Sequence, residues 1–346
     1  MRSSWFLLVA LPVVSTIPSF GPILKAGGDE VAGAWALDDP DKHNTVHPAA
    51  LSDGKGVRLV ADTRVILVKS GQESNPWGIW GDHQIQRLDL RQGVGLQFTL
   101  DISGVACGCI ACIYLVAMGD PSGYDSHYCD TNHDLRPGYN GQFCTEIDLM
   151  EANNKGWQTA LHTDGGGNYG SGQCDKSGCF TKLGSGSGTP GDMQAKYGWK
   201  GSNIDTSKPF EVISSVDAGG AWKVTLSQDS KEVTAFSEAI SGNPPGGGIP
   251  SSAKWKTKHA QGKLALVASL WKPGSNPSWL NGDCGFCDLN KATYTISNLR
   301  FSNVTSIVED TDDLPACPEW CASWTCDGSA WCSNGARPAP CMDCSS

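Results

Sequence analysis

The chain has 346 residues, of which 42 are Gly, 19 Pro, 15 Cys and 13 Trp, with 39% hydrophobic and 18% charged residues. That mixture suits many short strands joined by tight turns, and it excludes a disordered chain or one built of long helices. A formal charge of −10 without any basic cluster argues against nucleic acid as a partner, because phosphate binding needs Lys/Arg patches.

The first segment reads MRSSWFLLVALPVVSTIPSFG. Arg2 supplies a positive start and Trp5 to Val14 an apolar run, the pattern of a secretory leader. Spanning a membrane takes roughly 20 apolar residues, so this run is too short, and no other segment is long enough. The reading is a secreted, extracellular protein with a leader over about residues 1–25, cut somewhere between Thr16 and Gly28. Fifteen cysteines agree with export and with disulfides rather than zinc, although CGCIAC (107–112) and CGFC (284–287) carry metal-like spacings. The number is odd, so one thiol is unpaired or pairs between chains. Asn303, in Asn-Val-Thr, is a glycosylation sequon.

Strand-like runs follow at 57–70, 95–103, 112–118, 144–152, 209–218, 222–229, 263–271 and 292–304, and a Gly-rich loop is expected over roughly 164–203. In 95–103, Leu96, Phe98, Leu100 and Ile102 share one side. The fold class is all-β, with two stacked antiparallel sheets. The expected catalytic domain covers 26–308. An acidic linker (309–316) then leads to a tail (317–346) with six Cys and three Trp, Trp320, Trp324 and Trp331. That tail is too small to bury a core of its own and needs disulfide staples.

The stretch CTEIDLMEAN (144–153) puts three acids, Glu146, Asp148 and Glu151, among apolar residues. On a strand, residues i and i+2 share a face, so Glu146 and Asp148 point together while Ile147 and Leu149 point into an apolar layer. In a regular strand Glu151 falls on the wrong side, and a β-bulge near Met150 returns it. Three carboxyls on one face match retaining glycoside hydrolysis: one attacks, one gives and takes a proton, and a third holds the nucleophile and separates the pKa values. A solvated acidic edge is the plain alternative for the same residues.

These stretches resemble glycoside hydrolase family 7, the cellobiohydrolases and endoglucanases. EIDLMEAN resembles its E-x-D-x-x-E-A-N segment, a motif shared with family 16. CIYLVAM, YCDTN (128–132), CDKSGC (174–179), IDTSKPFEVISSVD, LALVASLW with SWLNGD, and ISNLRFSNV resemble further family 7 segments, in order over roughly 95–305. The resemblance implies a concanavalin-like β-sandwich of jelly-roll type, with an open glucan-binding groove. It implies Glu146 as nucleophile, Glu151 as acid/base and Asp148 as the residue tuning Glu146. Tyr114 and Asp130 are implied beside the nucleophile, His162 near the leaving-group side, and Trp271 and Trp279 as sugar platforms. A strand-ending core residue is the alternative for Trp271, and an ordinary loop histidine for His162. No metal and no cofactor is expected, and the partner is a β-glucan.

The catalytic domain is shorter than the family's cellobiohydrolases, the Asn-Pro-Tyr-Arg-like stretch after CDKSGC is missing, and a pair of adjacent cysteines is reduced to Cys144. The expected activity is therefore a secreted endo-β-1,4-glucanase. The alternatives are a β-1,3 or mixed-linkage glucanase of the same fold, or a non-catalytic glucan-binding lectin. The tail is read as a polysaccharide or wall contact, or as a stapled segment for protein contacts.

Overall fold

The computed structural model describes residues 23–25, 30–31, 33–37, 49–50, 56–69, 85, 87–88, 95–116, 129–132, 144, 146–162, 178–216, 222–237 and 264–302. Nineteen strands run in chain order among them. They are β1 (Ile23–Lys25), β2 (Glu30–Val31), β3 (Gly33–Leu37), β4 (Ala49–Ala50), β5 (Gly56–Val60), β6 (Thr63–Lys69), β7 (Arg87–Leu88), β8 (Gly95–Asp101), β9 (Ile110–Val116) and β10 (Glu146–Ala152). There follow β11 (Gly156–His162), β12 (Cys179–Gly184), β13 (Tyr197–Gly198), β14 (Ile204–Asp205), β15 (Phe210–Val216), β16 (Trp222–Gln228), β17 (Lys231–Ser237), β18 (Leu264–Trp271) and β19 (Thr293–Ser302). Two single-turn helices, α1 (Gly191–Gln194) and α2 (Ser278–Asn281), sit in the connections. No described helix is long and apolar enough to cross a membrane.

The strands form two large, mostly antiparallel sheets. One has the order β17-β16-β15-β8-β19-β1-β2, with β5 on β19 and β4 on β5. The other has the order β12-β11-β10-β9-β18-β6-β3, with β7 on β18. The all-β sandwich expected from composition is therefore present. The run 57–70 is two strands rather than one: β5 and β6 belong to opposite sheets, and the chain turns from one to the other at Ala61, whose φ is +48°. The Gly-rich loop expected over 164–203 holds β12, α1 and β13. Glycine density misled there because Phe180 to Leu183 supply an ordinary strand between glycines.

The two sheets are glued by alternating residues. Leu96, Phe98 and Leu100 of β8, with Val212, Val224 and Leu226, meet Ile147, Leu149, Trp157, Leu161, Leu266 and Ala268 in one buried cluster. Trp157, Tyr197 and Phe210 meet edge to face, with ring centres 5.9–6.2 Å apart. β9 is buried at every position, because its other face carries a second cluster that includes Cys112, Tyr114, Val267 and Leu280. A strand covered on both sides reads as a continuous apolar run, which is how CIYLVAM looks in the sequence.

Disulfides tie the strand ends. Cys107 pairs with Cys284, Cys109 with Cys287, and Cys129 with Cys144. Cys179 is also disulfide-bonded. CGC and CGFC thus staple to each other across the sequence, as the export reading expects. The free thiol among the described residues is Cys112, buried in β9. The expected glycosylation at Asn303, most of the leader, the linker and the tail lie outside the described residues. β1 overlaps the approximate leader 1–25, and a cut between Thr16 and Ile23 would leave it in the sheet.

Candidate active site

β10 carries the acids, and its neighbours fix where they point. Against β9, Glu146 lies opposite Val116, Asp148 opposite Tyr114 and Glu151 opposite Cys112. Against β11, the same three lie opposite His162, Ala160 and Gln158. On both neighbours the partners are two residues apart, although Asp148 and Glu151 are three apart. The register shifts between them on both sides, which is the bulge the motif predicts. The extra residue lets Leu149 and Met150 both enter the core, and Glu151 returns to the face of Glu146 and Asp148.

A bulge leaves ladder groups without partners, and here a side chain takes one of them. Thr159 Oγ1 donates to the Leu149 carbonyl at 3.0 Å and accepts from Trp157 Nε1 at 2.8 Å. Past the bulge, Asn153 closes the turn into β11. Its Oδ1 accepts from the backbone of Lys155 (2.9 Å) and Gly156 (3.1 Å). Its Nδ2 donates to the Cys109 carbonyl (3.1 Å) and to Asn281 Oδ1 (2.8 Å). The last residue of EIDLMEAN is therefore a buried cross-link between the acid strand, the disulfide-stapled turn before β9 and α2.

The carboxyls are interlocked. His162 Nε2 lies 3.1 Å from Asp148 Oδ2. Asp148 also shares a hydrogen bond with Glu146, and the Thr131 backbone N–H donates to Glu146 Oε2 at 3.1 Å. Gln158 Nε2 donates to Glu151 Oε2 at 2.9 Å. Gly178, with φ at +71°, gives the His162 ring its space: a Cβ there would stand 2.6 Å from Cε1.

Burial raises the proton affinity of all three acids. For Glu146 the next causes are the charges of Asp148 and Asp130, opposed by His162 and the Thr131 N–H. For Asp148 they are Glu151 and Asp130, opposed by the Glu146 hydrogen bond. Glu151 is raised less, because His162, Gln158 and Lys182 oppose its burial. The solvated-edge alternative fails on this burial.

Each residue expected at the site has a definite place. Asp130 is buried close enough to load both Glu146 and Asp148, and its Oδ1 accepts from the Asn132 N–H at 2.6 Å. Tyr114 sits beside Asp148, one row from Glu146. His162 pairs with Glu146 in register and bonds to Asp148, a central position between the acids. Trp271 is half-buried at the end of β18, its Nε1 donating to Cys112 Sγ at 3.2 Å. Trp279 is half-buried in α2, its ring centre 6.0 Å from Lys182 Nζ. Both tryptophans border the cluster on the acid face rather than the sandwich core. Among the described residues, no group of His, Cys, Asp and Glu is arranged to hold a metal. Sequence reasoning missed Thr131, Gln158, Thr159 and Lys182. A hairpin turn at Asn154–Lys155, had it been expected, would have placed Gln158 opposite Glu151.

The fold is shared with solved glycoside hydrolase family 7 enzymes, and the comparisons agree with the resemblance in divergent form. No family model matches the chain. It is 26% identical over 269 residues to endoglucanase EG-1 of Hypocrea jecorina, covering 65% of this chain and 55% of that one. It is also 26% identical over 274 residues to endoglucanase EG-1 of Trichoderma longibrachiatum, covering 67% and 56%. The chain thus spans about half the length of the curated relatives it matches. Among solved structures, a family 7 cellobiohydrolase from Daphnia pulex superposes with a TM-score of 0.58 at 16% identity, covering 83% of this chain and 97% of that one. The native endocellulase EGI of Humicola insolens superposes at 0.56 and 18%, covering 84% and 97%. These structural likenesses establish the fold.

The electrostatics carry a stability consequence. A carboxyl whose folded pKa lies above its unfolded one favours folding most at low pH. That contribution is lost as pH rises through the folded value. At neutral pH the acid cluster therefore costs stability. Glu146→Gln should raise Tm by about 2–4 °C at pH 7. The gain should vanish near pH 4, about the ordinary pKa of a glutamate. Calorimetry across that range checks both the size and the sign.

Proposed function

We propose that the chain is a secreted, retaining endo-β-1,4-glucanase acting on cellulose or related β-glucans. The observation that carries this reading is the bulge in β10, which aligns the buried Glu146 and Asp148 and the half-buried Glu151 on one face, with Asp148 hydrogen-bonded between Glu146 and His162. Two carboxyls flanking one glycosidic bond, with a third holding the first, are what double displacement needs.

In this mechanism Glu146 attacks the anomeric carbon while Glu151 protonates the departing oxygen. Glu151 then takes a proton from water, which releases the sugar from Glu146 with its configuration retained. The step needs Glu146 ionised within an acid cluster. His162 and the Thr131 N–H favour the charged form of Glu146, against burial and the charges of Asp148 and Asp130. His162 holds the other side of Asp148. Glu151, raised by burial, begins as the acid. Trp271 and Trp279 offer ring faces to the C–H side of pyranose units. The short run between Asn132 and Cys144 supports an open groove and endo-action.

Export rests on the leader pattern, the disulfides and the Asn303 sequon. The tail 317–346 is assigned to polysaccharide or wall contact, since three tryptophans on a stapled scaffold could make a stacking surface. Deleting residues 310–346 should weaken retention on insoluble cellulose, and unchanged retention would remove the polysaccharide role.

Proton NMR of the protein with cellopentaose and with a β-1,3 oligomer tests the activity. Fresh β-anomer should appear from cellopentaose and be lost in Glu146→Gln, where activity should fall by roughly 10³-fold or more. Product from the β-1,3 oligomer alone would overturn the linkage. No product from either would overturn the enzyme.

A further inference from the structure

Glu151 has the proton-transfer role in the reading above, and the following rests on that reading. An acid must be held as well as placed, because a carboxyl that rotates freely spends little time aimed at the leaving oxygen. Register sets a line of side chains across the groove face: Ser269, Cys112, Glu151, Gln158 and Lys182, from β18 to β12. Glu151 is the only acid in that line.

Gln158 is buried. Its one side-chain hydrogen bond among the described residues is the 2.9 Å donation to Glu151 Oε2. An amide buried with a single partner is costly unless that bond is made. Lys182, the next residue across, is buried too. Its ammonium donates to the Ser187 carbonyl at 3.0 Å and stands 4.9 Å from the Phe180 ring centre and 6.0 Å from that of Trp279. It forms no ion pair within 4.0 Å among the described residues, so its charge acts on Glu151 from behind Gln158.

We propose that Gln158 is the positioning residue of the acid/base. It pins Oε2 of Glu151 so that Oε1 is left to serve the leaving oxygen, and Lys182 is the fixed charge behind that pair. A neutral amide orients a carboxyl without forcing it to stay ionised, as a direct lysine contact would. The groups facing Glu151 are Cys112 and Tyr114 from β9, Asp148 on its own strand, His162 from β11 and Lys182 from β12. Burial, and then the Glu151 charge, push the Cys112 thiol up, so it remains neutral. Loss of the Gln158 donor removes a bond that favours the ionised carboxyl, and the proton on Glu151 is then held to higher pH.

Gln158→Met keeps the length and removes the donor. On cellopentaose, kcat/KM should fall about tenfold and its alkaline limb should move up by roughly half to one pH unit. A 2,4-dinitrophenyl cellobioside has a leaving group that needs no proton, so its kcat/KM should stay within about twofold. Lys182→Met should move the same limb in the same direction. Equal losses on both substrates, or a limb that does not move, would mean a merely structural glutamine and overturn the proposal. Carbon-13 NMR titration of the glutamate carboxyls separates this from failure of the enzymatic reading. The Glu151 midpoint should rise in Gln158→Met whether or not hydrolysis is found, and an unchanged midpoint overturns the proposal independently.

Discussion

One extra residue in β10 governs the site. Without it, Glu151 would face the sandwich core, away from Glu146 and Asp148. With it, Leu149 and Met150 both join the apolar layer, and Glu151 returns to the face of Glu146 and Asp148. The irregular backbone is stabilised locally. Thr159 satisfies the Leu149 carbonyl, Asn153 closes the following turn, and Asn281 and the Cys109 carbonyl hold Asn153 in place. The neighbouring strands keep period two throughout, so the whole displacement is confined to β10. That arrangement lets an otherwise regular sheet present a functional row.

The second constraint is charge. Burial raises the proton affinity of Glu146, Asp148 and Glu151, and the neighbouring acids raise Glu146 and Asp148 further. Such a cluster persists because each member is hydrogen-bonded. Glu146 has Asp148 and the Thr131 N–H, Asp148 has His162, and Glu151 has Gln158. The packing that makes the cluster costly also makes it usable. A carboxyl raised above its ordinary range can hold a proton to give up, and hydrogen bonds to the ionised form can keep a charge where it is needed. The sandwich core and the disulfides supply the stability that the site consumes.

Much of this was legible in the sequence, for physical reasons. The period-two alternation of β8 and the continuous apolar run of β9 report half-buried and fully buried strands. E-x-D-x-x-E among apolar residues reports a bulge, because only a bulge reconciles its spacing with one face. Other features were not legible because they depend on pairing across strands. Gln158 and Lys182 become neighbours of Glu151 only through two hairpin registers. Thr159 earns its role from a carbonyl that the bulge frees. β12 was hidden by glycines on both sides, and which cysteine is free among the described residues, Cys112, could not be read until their staples were known. The resemblance singled out Trp271 and Trp279, whose half-buried positions on the acid face are a matter of packing rather than pattern.

The central claim is that the bulge makes Glu146 and Glu151 a nucleophile and acid/base pair. Incubation with a 2-fluoro-2-deoxy cellobioside bearing an activated leaving group, followed by peptide mass mapping, addresses it most directly. The account predicts one covalent sugar adduct per chain, on Glu146, stable because the fluorine slows its hydrolysis. An adduct on Glu151 or Asp148, or complete turnover of the reagent with inversion, would contradict it.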